Sequence, residues 1–449
     1  MNSKLMQRRE FLRTMMAAGI GSAGMLGTLG TIGRAQAAAS LDQGGDDFRA
    51  LVTVFLFGGS DSFNMIVPMD ASYADYARVR GNLAVPQGQL LPLAGTSFGL
   101  HPNLVGTSQL AAQNRVAVGL NVGAMVEPTT RADFLADRVE LPPQLFAHDH
   151  QQVHWQTANP TSLAREGWLG RAVDLMETAY ADQTLPFNIS MLGSNTLQIG
   201  PRSVGYAADP EGPAGLDILG EEQGQGPGRV HDQMLARSYD HPLMAEHVNI
   251  RRRSLDIFSR YAQAFDPVPQ LQTAFSPGEL AQQLLGVARF IAVRQQLGIR
   301  RQAFFVGMGG FDTHSAQATN LPGLLSAVDG ALKSFYDATV ELGVAEKVTT
   351  VTLSEFGRTL SSNGDGTDHG WGGHQLAVGG AVQGGTYGRA PARVIEGPDD
   401  AGEGRLIPTT SLEEFLTPAV RWFGVPEGDL DTVFPNLRNF DRRNLGYLG

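Results

Sequence analysis

The apolar positions of this chain fall into short unbroken runs separated by amphipathic stretches. Leu51-Val52-Thr53-Val54-Phe55-Leu56-Phe57 is almost continuously apolar and stops at Gly58-Gly59. A run of that length without polar alternation predicts a strand buried on both faces. Arg115–Asn121 repeats the pattern after a helical segment near Leu104–Gln113, and Ala303–Met308 repeats it after a helix over Glu279–Leu297. A helix over Leu321–Leu342 leads into a strand at Val348–Leu353. Gln375–Gly380 and Ala392–Glu396 read as further strands, and Leu412–Phe423 as a late helix with Ser411 as its N-cap. The alternation predicts a doubly wound α/β architecture with a mostly parallel central sheet flanked by helices. In such a sheet the active site lies beyond the carboxyl ends of the strands.

One region departs from the pattern. Gly200–Gly228 is dense in Gly, Pro, Asp, Glu and Gln and predicts a long surface loop. His241–Phe265 is helical and charged, and its Arg251-Arg252-Arg253 reads as a solvated helix face. Asp266–Pro277 reads as a linker, so a mostly helical insertion is expected over 200–275 within a domain spanning 45–449.

Composition narrows the chemistry. The chain has 449 residues, 42% of them hydrophobic, which is ample for a large core. It has no cysteine, so thiolate ligands, a Cys nucleophile and disulfides are excluded. Any metal must be held by His, Asp, Glu or other oxygen groups. Gly58-Gly59 lacks the Gly-x-Gly-x-x-Gly spacing and no Walker-type Gly-Lys-Ser/Thr occurs, which argues against nucleotide cofactors.

The candidate chemistry gathers at predicted strand ends. Asp61 follows the first strand, where it is either a metal ligand or a turn aspartate. Asp312 and His314 follow the strand Ala303–Met308; at i and i+2 both reach one side of an extended chain. Glu355 follows Val348–Leu353, with Arg358 three residues on as a candidate anion clamp or a simple ion-pair partner. The loop Ser361–His374 carries Asp368, His369 and His374 among five glycines. Carboxylates with imidazoles suit a divalent ion, with zinc, manganese or calcium as the options. Thr129 and Thr130 stand at a predicted helix start, where a hydroxyl is a candidate nucleophile or a plain cap. His148, Gln151 and neighbouring polar residues are candidate ligands or substrate contacts.

The N-terminus resembles a twin-arginine export signal. Arg8-Arg9-Glu10-Phe11-Leu12-Arg13 precedes a Gly- and Ala-rich apolar stretch and a small-x-small site at Ala35-Gln36-Ala37. Residues 1–37 are therefore expected to be a signal peptide read by the twin-arginine machinery, leaving a periplasmic or extracellular protein. Its removal takes five cations and one anion, moving the net charge from −11 to −15. So acidic a chain argues against general nucleic-acid binding. Nothing in the sequence indicates the oligomeric state.

The remaining motifs carry a resemblance. Phe57-Gly58-Gly59-Ser60-Asp61 with Asn64 and Pro68, Leu145-Phe146 with His148 and Gln151-Gln152, Gly310-Phe311-Asp312-Thr313-His314, Ser354-Glu355-Phe356-Gly357-Arg358-Thr359 and Thr367-Asp368-His369-Gly370 resemble the bacterial domain of unknown function 1501 family. That family is similar to the alkaline phosphatase and sulfatase superfamily. The resemblance implies a two-metal site at the sheet's carboxyl edge and a Ser or Thr nucleophile. Asp61 would match the first-strand metal aspartate, Asp312 and His314 the next pair, and Asp368-His369 or His374 the late histidine. Glu355 would take the place of an Asp-His pair, and Asn64, His148 and Gln151 would contact substrate. The chain departs from the pattern in the short Asp312–His314 spacing, in the lack of a His beside Glu355, and in Ala147 where members often have Ser. Two functions stand: metal-dependent hydrolysis of an anionic phosphate or sulfate ester, small or polymeric, and a non-catalytic binding protein that keeps the fold.

Overall fold

The first apolar run forms β1 (Arg49–Leu56), and its side chains explain why polar alternation is missing. Ala50, Val52, Val54 and Leu56 enter one hydrophobic core, while Leu51 and Phe55 enter another on the opposite face of the sheet. Both faces are dry, so every position favours an apolar residue. The computed structural model describes residues 47–161, 165–213, 226–266 and 270–449. The expected export signal at 1–37 lies outside the described residues.

The central sheet is built from β1, β2 (Val116–Gly123), β3 (Asn188–Ser190), β4 (Tyr206–Asp209), β5 (Gly212–Pro213), β6 (Arg301–Met308), β7 (Val348–Leu353), β8 (Gly373–Gly379), β9 (Gly385–Tyr387) and β10 (Thr410–Ser411). Its order is β9-β2-β8-β7-β1-β6-β3-β4-β5, with β10 also paired to β2. β7, β1, β6 and β3 are mutually parallel, and β8 runs antiparallel between β7 and β2. The fold is α/β with a mostly parallel central sheet, as the hydrophobic pattern predicts. The helices Glu279–Ala292 and Gln317–Glu341 cover one face and Trp168–Ala179 and Leu412–Phe423 the other. Ser411 caps the last of these: its hydroxyl accepts from Glu414 N and its own N–H donates to the Glu414 carboxylate, a full capping box.

Two local expectations change. Ala392–Glu396 is not a strand but loop and turn, held by Ala392 and Glu396 N–H groups donating to Asp399 and Asp400. The expected loop Gly200–Gly228 contributes the short strands β4 and β5 to the sheet edge. The segment expected as an insertion forms the helices Gly226–Ala236 and Pro242–Phe265, with Arg251, Arg252 and Arg253 exposed. No helix among the described residues is long and apolar enough to cross a membrane.

The topology places the functional loops. Parallel β7, β1 and β6 deliver the segments after Leu353, Leu56 and Met308 to one sheet edge. β8 is antiparallel to β7, so the loop that enters it at Gly373 arrives at that same edge, as does the chain leaving β2.

Candidate metal centre

The centre is organised around Gly58. Its φ of 115° and the 78° of Gly59 turn the chain sharply off β1. Gly58 N donates to Glu355 Oε1 at 2.8 Å, and its carbonyl accepts from Arg358 Nη1 at 3.1 Å. A Cβ at this position would sit 2.4 Å from Asp312 N. The loops after β1, β6 and β7 thus meet where only a hydrogen atom fits.

Three imidazoles stand over this turn in the same pose. His148 Nδ1 lies 2.9 Å from Glu355 Oε1, His314 Nδ1 lies 2.9 Å from Asp368 Oδ1, and His369 Nδ1 lies 2.7 Å from the Phe146 carbonyl. Carbonyls and ionised carboxylates only accept, so each Nδ1 carries a proton, and in the neutral ring Nε2 then presents a lone pair. All three Nε2 atoms face Asp312: His148 at 3.5 Å from Oδ2, His314 at 3.1 Å and His369 at 3.4 Å from Oδ1. The Nε2 atoms of His314 and His369 are 2.9 Å apart. Facing lone pairs repel, so the arrangement calls for positive charge among them, a proton or a metal ion. Ligands at about 2.0–2.2 Å around one tetrahedral ion stand about 3.3–3.6 Å apart, close to the 3.1 to 3.5 Å between these Nε2 atoms and Asp312. His148, Asp312 and His369 alone offer three ligand atoms within 4.8 Å of one another. The oxygen partner on each Nδ1 is the usual support of a metal-binding imidazole.

A second layer holds these donors in place. Arg358, fully buried, donates to Asp312 Oδ1 at 2.7 Å and to the Thr367 carbonyl. Burial pushes the Asp312 carboxyl up, but the hydrogen bond and charge of Arg358 outweigh it and hold Asp312 below the usual range. Burial likewise raises Glu355, and hydrogen bonds from His148 and Gln152 more than reverse it. His148 is raised by the same bond to Glu355, against its burial. Burial, the largest influence, lowers His369 and so favours the neutral ring that a metal ligand needs. Asp368 is lowered by Asn363 first, and by His314.

Behind Arg358 lies a polar network. Arg80 Nη1 donates to Asp61 Oδ2 at 3.0 Å, and both side chains are fully buried. Gln317 Nε2 also donates to Asp61 Oδ2. Gln317 Oε1 then accepts from the hydroxyls of Thr313 at 3.1 Å and Thr367 at 2.6 Å. One amide therefore ties the loop bearing Asp312 and His314 to the loop bearing Asp368 and His369.

The structure sorts the sequence candidates. Asp312, His314 and His369 are brought together as candidate ligands, and His148, expected as either a ligand or a substrate contact, joins their Nε2 cluster. Glu355 and Asp368 support imidazoles from the Nδ1 side instead of pointing at the centre. Asp61 is neutralised by Arg80 in the interior. His374 is a core histidine: its Nδ1 accepts from Asn121 N at 3.0 Å, Phe63 and Phe98 pack edge-on against it, and burial depresses its pKa well below the usual value. Arg358 is no anion clamp, because its guanidinium is turned inward onto protein oxygens. Asn64 donates to the Leu83 carbonyl and accepts from Tyr76, both within the packing. Gln151 is buried against Gln144 and His154, and the next residue, Gln152, faces the centre. Thr130 caps the helix Arg131–Leu135 and Thr129 donates to the Glu127 carbonyl, so both hydroxyls serve local turns. Sequence reasoning missed Arg80 and Gln317, and named Gln152 only as part of the polar segment around His148 without singling it out. A Gln one helical turn after His148 was the available signal for Gln152; none existed for the other two.

The chain belongs to a family described as protein of unknown function (DUF1501), whose model matches residues 49–396. No curated protein matches it. Among solved structures it is similar to the lipoteichoic acid synthase LtaP from Listeria monocytogenes, at 8% identity and a TM-score of 0.36 over 90% of this chain and 81% of that one. It is also similar to the PsFucS1 sulfatase from Pseudoalteromonas sp., at 11% identity and a TM-score of 0.34 over 88% and 72%. Likeness at that level is one of broad chain path and says nothing of a reaction.

Proposed function

We propose that this protein is an exported metal-dependent hydrolase of phosphate or sulfate esters. The observation that carries the reading is the common pose of His148, His314 and His369, each fixed through Nδ1 and each aiming Nε2 at Asp312. These four residues would hold a divalent ion, which when bound supplies Lewis acidity to an ester oxygen and acidifies water. The chain's own part is to keep the four donors rigid. Glu355 and Asp368 fix imidazole orientation, and Arg358 fixes the Asp312 carboxylate. The side chains of Asp312 and His314 are 46% and 44% exposed, so a bulky anionic ester, small or polymeric, has access. Export by the twin-arginine route would place the activity in the periplasm or beyond it.

A second reading, a non-catalytic anion-binding protein, is favoured by the hydroxyl inventory. Thr129 and Thr130 are spent on local turns, and Thr313 and Thr367 are held by Gln317. With these threonine hydroxyls engaged, water is the nucleophile that the hydrolase reading would use. The test is turnover of 4-nitrophenyl phosphate and 4-nitrocatechol sulfate by metal-loaded mature protein, with His369→Ala as control. Hydrolysis that disappears on chelation and in the variant supports the hydrolase. A metal-loaded protein inert toward both esters, yet retaining a sulfated or phosphorylated polymer, sinks it in favour of binding.

A further inference from the structure

We infer that the centre holds a single ion of the borderline transition-metal kind, and that the guanidinium of Arg80 stands, electrostatically, where a second ion would be. The inference rests on the metal reading above and departs from the two-ion site implied by the sequence resemblance.

The residues present do not fit two ions. Asp61, the aspartate that resemblance assigns to the metal, is fully buried with both oxygens occupied. Arg80 Nη2 engages Oδ1, while Arg80 Nη1 and Gln317 Nε2 engage Oδ2. A buried carboxylate needs a positive partner. Here the chain supplies it from the last residue of the helix Tyr73–Arg80, and the guanidinium fork satisfies both oxygens at once. Three donors from Arg80 and Gln317 thus engage the Asp61 carboxylate within the protein interior.

The donor count agrees. His148, Asp312 and His369 offer three ligand atoms within 4.8 Å of one another, and His314, its Nε2 3.1 Å from Asp312 and 2.9 Å from His369, adds a fourth donor, the number one tetrahedral ion takes. The two remaining carboxylates nearby, Glu355 and Asp368, are turned to the Nδ1 side of the imidazoles. Three imidazoles to one carboxylate is a nitrogen-rich set. It suits zinc and its transition-metal neighbours, and it argues against calcium, which takes about six to eight oxygens.

The test is metal content by plasma mass spectrometry together with X-ray absorption at the metal edge. The sample is mature protein purified without chelator or affinity histidines. The expected result is one equivalent, an imidazole-rich first shell and no metal–metal vector near the roughly 3.5–4 Å of two-metal sites. Asp61→Asn should keep that one equivalent. If this variant fails to fold, the absorption spectrum of the wild-type protein still decides. Two equivalents with a metal–metal vector, or loss of one of two ions in Asp61→Asn, would overturn the inference and leave the hydrolase reading standing. A protein that binds no metal overturns both. One bound ion without ester turnover leaves this inference supported and removes the hydrolase alone.

Discussion

Gln317 is held by Asp61 through a buried amide-to-carboxylate hydrogen bond, and this fixes which end of the Gln317 amide faces the ligand loops. With Nε2 committed to Asp61, only Oε1 is left to receive the Thr313 and Thr367 hydroxyls. Gln317→Met keeps the volume and removes all three bonds, leaving buried polar groups unpaired. We expect a stability loss of about 1–3 kcal/mol. We also expect metal affinity to fall by about 10–100-fold, as when outer-shell support is removed. Denaturant unfolding and competition with a chromogenic chelator read the two effects separately. Unchanged affinity would mean that the clamp serves stability alone.

Gly58 is the point where three loops meet. Its positive φ disfavours any side chain, and a methyl group there would approach Asp312 N to 2.4 Å. Gly58→Ala should cost at least about 2 kcal/mol, because backbone strain and steric displacement add. The displaced backbone is that of Asp312, so metal retention should fall with stability. A variant that melts like the wild type and keeps its metal would contradict this packing.

Stability should depend on pH through two buried groups of opposite sign. Burial pulls His154 down to about 4 from 6.5. Between those values the unfolded chain binds the extra proton, so stability is lost as pH falls through that window. Burial pushes Glu413 up to about 8 from 4.5, and its Oε2 has no hydrogen-bond partner. There the folded chain holds the extra proton, so stability is lost as pH rises from 4.5 toward 8. Glu413→Gln should therefore gain on the wild type progressively between about pH 5 and 9 in urea unfolding. His154→Gln should flatten the acid limb only. Parallel pH profiles for wild type and Glu413→Gln would show that Glu413 does not titrate in this way.

The order of apolar and polar residues was enough to specify the central strands and the edge at which chemistry gathers, though not the short strands at the sheet's margin. Unbroken apolar runs such as Leu51–Phe57 specify strands dry on both faces, and the motifs following them must emerge together when those strands are parallel. Asp312, His314 and His369 were legible for that reason. Ser411 was legible because a cap bonds only within its own turn. Which polar residues at that edge face one another was settled by packing. Asp61 was turned from ligand to anchor by Arg80, 19 residues away, and by Gln317, 256 residues away. Glu355 and Asp368 became supports because each is met by an imidazole Nδ1 from a distant segment, His148 and His314. Gln151 and Gln152 differ by one residue, yet the helix sends one into the core and the other to Glu355. His374 entered the core because β8 buries it against Phe63 and Phe98. A carboxylate or imidazole has the same local signature whether it binds an ion, a guanidinium or another side chain. The partner decides its role, and partners are set by contacts across the sheet.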